Sequence, residues 1–489
     1  MKTLLMGLAV AAVALGQVRV VALPGRSPLV TFRFVFTQGA ASDPAGKPGL
    51  AYITAMMLAN GGTRQMSYQQ VVDAMYPMAT DVTAQVDQEM TTFSGSTHTD
   101  NLETYYGLFR AMLLEPGWRQ EDFERVKDDA VNFLRVNLRA NNDEELGKEV
   151  LYQTLYRGTP YAQYAVGTVS SIQALTLADV KTFYRDRYHQ GNLIAGLAGG
   201  YGQGFAERVK KDFAVLPKGA APRAAAVKPA EPERTTALVV DKDTRSVAYS
   251  LGFPIAVTRA HPDYPALLVA TAYFGPHRTS GGVLYDRMRE KRGLNYGDYA
   301  YIEYFPRGMY QFEPDPNLAR RSQIFQIWIR PVEPPTAVFA LRLALHELDK
   351  LVNSGLSEEA FQRSREFVSK YVNLLTKTKR AELGYRIDSL FYGIPDYNAH
   401  IRKALAKLTR EQVNAAIKKH LRVDRLQIVA IARDAEELKA RLASGAPSPM
   451  TYNSPKPPEI TEEDQRVEKR PLGLRAEDVT VVPVDKVFE

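Results

Sequence analysis

Apolar positions along this chain recur with two periods, and the pattern occurs twice. Leu29–Phe36 alternates apolar and polar residues as a half-buried strand does, and Ser246–Phe253 alternates less cleanly. Each predicted strand leads to an apolar helix, Leu50–Leu58 in the first half and Tyr264–Tyr273 in the second. An amphipathic helix follows in each half. Gln120–Asn132 carries Phe123, Arg125 and Lys127, and Ser357–Val368 carries Phe361, Arg363 and Arg365 at the same intervals. Both begin with acidic residues, which suit the positive end of a helix dipole. A third pair of helices opens at Thr176 and Thr409, each a natural N-cap, with Asp179 and Gln412 at the third helical position; Gln412 completes a capping box. These helices lead, at equal spacing, into the apolar strands Leu193–Ala198 and Leu426–Ala432. The reading is an α+β protein of two homologous domains, each a mostly antiparallel sheet with helices packed on one face.

Between the repeats, residues 215–235 are rich in Ala, Pro and Lys without apolar periodicity and read as a linker. The expected layout is a first domain at 17–214, the linker at 215–235, a second domain at 236–440 and an extended tail at 441–489. The last stretch of that tail, Val479–Val484, is suited to add a strand to a sheet edge. Residues 1–16 combine Lys2, an apolar run from Leu4 to Leu15 and the small-residue site Ala14-Leu15-Gly16, the pattern of a cleaved secretory signal peptide. Localisation in a periplasm, or secretion, is the expectation. No apolar run reaches the roughly 20 residues of a transmembrane segment.

Composition narrows the chemistry. With 45% hydrophobic residues the chain buries large cores, which excludes a disordered protein. It has no cysteine, so disulfides, thiol catalysis and cysteine-ligated metals are out. A net charge of +7, spread thinly apart from Arg287, Arg289, Lys291 and Arg292, gives no basic face for nucleic acid. Of the seven histidines, His346 precedes Glu347, but no second His shares that helical face, and the others are isolated. The glycine-rich Gly199–Gly204 lacks the Lys-Ser/Thr of a phosphate loop and reads as a strand exit. His277 reads as a structural residue of a Gly-Pro-His-Arg turn.

The order of short motifs resembles the M16 (insulinase, pitrilysin, processing-peptidase) family of zinc peptidases over almost the whole chain. The motifs are Gly49-Leu50-Ala51, Gly61-Gly62-Thr63, Asp87-Gln88-Glu89-Met90-Thr91, Pro160-Tyr161, Gly167-Thr168, Phe274-Gly275-Pro276-His277-Arg278 and Arg289-Glu290-Lys291-Arg292-Gly293-Leu294-Asn295-Tyr296. Active members carry His-x-x-Glu-His on the first apolar helix. The two histidines on one helical face hold zinc, the Glu activates the metal-bound water, and a further Glu completes the ligand set. The resemblance puts Tyr52, Ala55 and Met56 at the motif and Phe133 at the downstream Glu. None of these can hold zinc, so no cofactor is expected in this chain.

The second half keeps Arg289 and Tyr296. In the family an Arg and a Tyr at this spacing face the zinc across the cleft, the Arg on a substrate carbonyl and the Tyr toward the oxyanion. The resemblance therefore implies a non-catalytic subunit of a heterodimeric zinc peptidase, lending Arg289 and Tyr296 to a zinc-bearing partner chain that cleaves peptides. The edge strand near Ala84–Phe93 is expected to take a peptide by strand addition. The alternative is a catalytically inactive scaffold or peptide-binding protein of the same fold.

Overall fold

A computed structural model describes residues 16–489. The signal segment, apart from Gly16, lies outside the described residues. Five strands form the first sheet: β1 (Arg19–Pro24), β2 (Leu29–Phe36), β3 (Thr83–Val86), β4 (Thr91–His98) and β5 (Leu193–Gly199), in the order β1-β5-β2-β4-β3. Six form the second: β6 (Thr236–Asp241), β7 (Val247–Ile255), β8 (Tyr299–Tyr301), β9 (Gln323–Val332), β10 (Gln427–Ala432) and β11 (Val479–Pro483), in the order β11-β6-β10-β7-β9-β8. Apart from β11 the two orders are the same, so the internal repeat in sequence is a repeat in topology. Pairing is antiparallel except for β1 with β5, and β6 with β10 and β11.

The helices open where their caps place them. Thr176 Oγ1 accepts from Asp179 N at 3.2 Å and Thr409 Oγ1 from Gln412 N at 3.3 Å. Both ends are full capping boxes, since the short Asp179 carboxylate also reaches back to Thr176 N.

Each sheet carries its helices on one face as expected, and a helix from the other half covers the second face. Alternate residues of a central strand enter different cores. In the first sheet Phe32, Phe34 and Phe36 join the main core, whereas Val35, Ile194 and Ala198 pack with Leu383 and Ile387. The last two belong to helix Lys379–Tyr392 of the second half. Gly196 allows the approach, since a Cβ there would lie 3.0 Å from Ile387 Cδ1 and 3.1 Å from Leu383 Cδ1. The second sheet receives the reciprocal helix, Asp143–Leu155 of the first half, against β7 and β10. Val429 and Ile431 share the first half's core while Ile428 and Ala430 face their own. The halves are thus interlocked, each lending a helix to the other's sheet. The near-continuous burial of β5, β7 and β10 is what two covered faces require.

Two expectations need correction. The tail does not stay extended: Pro458–Val467 is a helix, drawn in by Ile460 and Val467 on its buried face and by Glu463 and Asp464, which meet buried Arg292. After β11 the chain crosses to the first half, where Val487 and Phe488 are buried and Glu489 pairs with Arg139 at 2.6 Å. Of the stretch 84–93 only the part in β3 lies at an edge of the first sheet, and residues 91–93 lie one strand in, on β4. Among the described residues no helix is long and apolar enough to cross a membrane.

Candidate functional site

Helix Leu50–Asn60 starts where Asp43 receives the backbone N–H groups of Gly49 (2.8 Å) and Ala51 (2.7 Å). Gly49 sits at φ 87°, a left-handed conformation that explains glycine there. Burial pushes the Asp43 carboxyl up to about 8, against the pull of those backbone hydrogen bonds. The helix packs on Gln120–Asn132, which continues as π-helical turns, Phe133–Ala140. On these elements Ala55 is fully buried, and Tyr52, Met56 and Phe133 are half-buried against the same apolar core. Burial, reinforced by the charge of Asp129, pushes the Tyr52 phenol up to about 12. The group stays neutral at physiological pH. A neutral phenol, a methyl group, a thioether and a phenyl ring are no donor set for zinc, so these residues do not fit the metal that the resemblance implies here.

Arg289 lies in a second π-helical segment, Tyr285–Glu290, and Tyr296 in the turn beyond it. The guanidinium carbon of Arg289 stands 4.4 Å from the centre of the Tyr296 ring, a cation–π contact at the surface, with Tyr296 73% exposed. The turn beneath is fixed: the buried Asn295 amide donates to Asp298 Oδ1 at 2.8 Å and to Arg330 O at 3.1 Å, and its oxygen accepts from Gly297 N at 3.0 Å. Beyond this turn only Tyr299–Tyr301 forms a strand, followed by an irregular segment.

The neighbouring arginines do different work. Arg292 is buried and donates to Asp464 at 2.8 Å and to Glu463 at 2.6 Å, and Arg287 pairs with Glu347 at 3.2 Å and with Glu463. They clamp the tail helix. Among the described residues Arg289 has no carboxylate within ion-pair distance. Sequence reading grouped all these arginines in one cluster; the separating signal was the acidic Glu462-Glu463-Asp464 of the tail, which nothing local connects to them. Among the described residues no hydrogen bond, ion pair or ring contact joins Arg289 or Tyr296 to Tyr52, Ala55, Met56 or Phe133.

Two other groups of side chains come close enough to share a cation. His346, Glu347 and Glu463 form one, but Arg287, Arg292 and Lys350 already neutralise its carboxylates. His261, Asp263 and His420 form the other, where Asp263 receives Lys419 at 2.8 Å and His420 at 2.7 Å. His277 is a cross-brace. Its Nε2–H donates to Gln311 O at 2.7 Å, its Nδ1 faces the Tyr301 hydroxyl at 3.0 Å, and burial lowers its pKa to about 3.

Comparison with known proteins fits this geometry. Residues 20–169 match the family model described as Insulinase (Peptidase family M16), and residues 174–368 match that of the Peptidase M16 inactive domain. A non-peptidase homolog of Helicobacter pylori, YmxG, is 21% identical over 83% of this chain and 89% of its own length. An uncharacterized zinc protease of Streptomyces coelicolor is 22% identical over 72% of this chain and 75% of its own. Among solved structures, a peptidase M16 inactive domain from Pseudomonas fluorescens superposes with a TM-score of 0.74 at 24% identity, covering 85% of this chain and 96% of that one. A chain of the complex III2 of Candida albicans gives 0.66 at 15%, covering 84% and 93%. The chain belongs to the M16 peptidase family.

Proposed function

We propose that this protein is the non-catalytic subunit of a heterodimeric M16 zinc peptidase, exported from the cytoplasm, that lends Arg289 and Tyr296 to peptide cleavage at a zinc site held by the partner. The observation that carries the reading is the exposed Tyr296 ring with Arg289 laid over it at 4.4 Å on a rigid turn. A donor held in place before substrate arrives needs no reorganisation as charge develops on the substrate oxygen. In this reading Arg289 engages a peptide carbonyl and the Tyr296 hydroxyl the oxyanion. The edge strand β3 offers a backbone on which a peptide can pair. The scaffold reading draws on the same contact: the ring and the guanidinium already satisfy one another, which a purely structural pair also does.

Co-purification from native cells tests the partnership. Mass spectrometry should find a chain of similar size bearing His-x-x-Glu-His. In the reconstituted pair, Tyr296→Phe should lower kcat by about 10- to 1000-fold with little change in KM, the range for a lost oxyanion donor. Unchanged kinetics would remove the role of Tyr296 and leave the scaffold.

A further inference from the structure

Helix Tyr264–Phe274 holds the place in the second half that helix Leu50–Asn60 holds in the first. Each follows the central strand, and each packs on the helix that carries the Phe-x-Arg-x-basic pattern. Leu268, Thr271 and Ala272 share one face of this helix at the spacing of Tyr52, Ala55 and Met56, two positions further from the helix start. Tyr371 stands as far beyond Phe361 as Phe133 does beyond Phe123. These four residues line one cavity of about 140 Å³. Around them are Tyr264, Phe367 and Tyr397, and the wall is predominantly apolar. One ion pair is set in it. Glu303 accepts from Arg259 Nε at 2.9 Å and from the Tyr264 hydroxyl at 2.9 Å, and Arg259 donates to Asp388 at 3.2 Å.

The geometry points to a binding site for a single aromatic ring bearing an O–H or N–H donor, on the second half's counterpart of helix Leu50–Asn60. Size argues for one ring: a volume of about 150 Å³ is enough to take benzene. The walls argue for an aromatic ligand, since Tyr and Phe rings engage another ring edge-to-face or offset. The ion pair argues for a donor. A carboxylate offers about four lone-pair sites, and Glu303 uses two of them on Arg259 and Tyr264. Its partners hold the carboxyl in place, so a ligand hydroxyl meets a fixed acceptor without displacing anything. Arg259 is stacked against Tyr385 and Tyr397, each at 5.0 Å, which fixes it in the wall.

Phenol is the probe, titrated into the full chain with binding followed by saturation-transfer NMR and calorimetry. Phenol should bind saturably at one site. Anisole, the same ring without the donor, should bind about tenfold more weakly. Ala272→Trp fills the cavity from its half-buried rim and should abolish binding; Leu268→Phe, a smaller intrusion, serves if the first variant melts early. The tripeptide Gly-Tyr-Gly separates the sources of the ring. Binding comparable to phenol assigns the site to a peptide side chain, and exclusion of the tripeptide with phenol retained assigns it to a free small molecule. No saturable phenol binding, or binding that survives both substitutions in folded protein, overturns the proposal.

Discussion

The two halves pair their outer strands alike and connect them differently. In the first, β3 and β4 are joined by the tight turn 87–90; in the second, β8 and β9 are separated by residues 302–322. That long segment is the seam of the molecule. Tyr304 donates to Glu149 at 2.5 Å, Lys148 to Phe305 O at 3.1 Å, and Arg320 to Asp87 of the short turn at 2.8 Å. The exchanged helices differ in the same sense. Lys379–Tyr392 presents Leu383 and Ile387 to the first sheet and buries a single charge, Asp388, which Arg259 and Asn317 satisfy. Asp143–Leu155 buries Glu144, Glu145, Lys148 and Glu149, and much of what satisfies them comes from the long segment. The more charge an interior holds, the more partners the long connection must bring to it.

Removing that seam should have the largest effect. Arg320 and Asp87 are both buried, and Arg320 also lies 3.5 Å over the Tyr304 ring. Arg320→Ala strands a buried carboxylate and should cost about 3–5 kcal/mol, read by urea denaturation. A loss under about 1 kcal/mol would mean that the apolar contacts of the exchanged helices alone hold the halves together.

Next in size is the attempt to rebuild a metal site in the first half. Ala55→Glu places a carboxylate at a fully buried methyl and should be the costliest of the three changes. Tyr52→His and Met56→His fall at half-buried positions. Each should cost about 1–3 kcal/mol, with Ala55→Glu at the top of the range. With Phe133 still in place, the triple variant should bind no stoichiometric zinc by elemental analysis. Tight zinc binding would show that the first half differs from an active one by fewer residues than its packing implies.

Glu149 sharpens the contrast between charged and apolar contact through pH. Burial raises its pKa from 4.5 to about 8, with Arg320 and the Tyr304 hydroxyl pulling the other way. From pH 4.5 upward the unfolded chain releases this proton while the folded chain keeps it. Stability from this group therefore declines as pH rises to about 8 and levels off above. Glu149→Gln should flatten that part of the stability–pH curve, leaving what Glu145 contributes in the same direction. An unchanged curve would mean that Glu149 is ionised in the folded protein at neutral pH.

Much of the repeat was legible because it is local. Thr176 and Thr409, the alternation of Leu29–Phe36 and the acidic start of Gln120–Asn132 each carry their own signal within a few residues. The interlock was not legible, because Asp143-Glu144-Glu145 has the composition of an exposed helix start; only the approach of Tyr304 and Arg307 from the other half makes it interior. For the same reason the empty chemistry of Tyr52, Ala55, Met56 and Phe133 could be read from residue types alone. The division of labour among Arg287, Arg289 and Arg292 depended on a tail helix that lies far away in sequence.

The smallest effect concerns the pair on which the proposed function rests. A double-mutant cycle on Arg289→Ala and Tyr296→Leu isolates their contact, and at an exposed site the coupling should be about 0.5–1 kcal/mol. Tyr296→Phe keeps the ring, so it should leave both the coupling and the melting temperature nearly unchanged. That separates two properties of one side chain. The ring positions Arg289, and the hydroxyl, with no hydrogen-bond partner among the described residues, remains free to act on something else. A coupling near 2 kcal/mol would mark the pair as a structural clamp, like Arg292 on the tail helix. A coupling near zero would mean that Arg289 is not held over the ring in solution. The expected middle value is that of two groups held together loosely enough for a substrate to replace one contact with another.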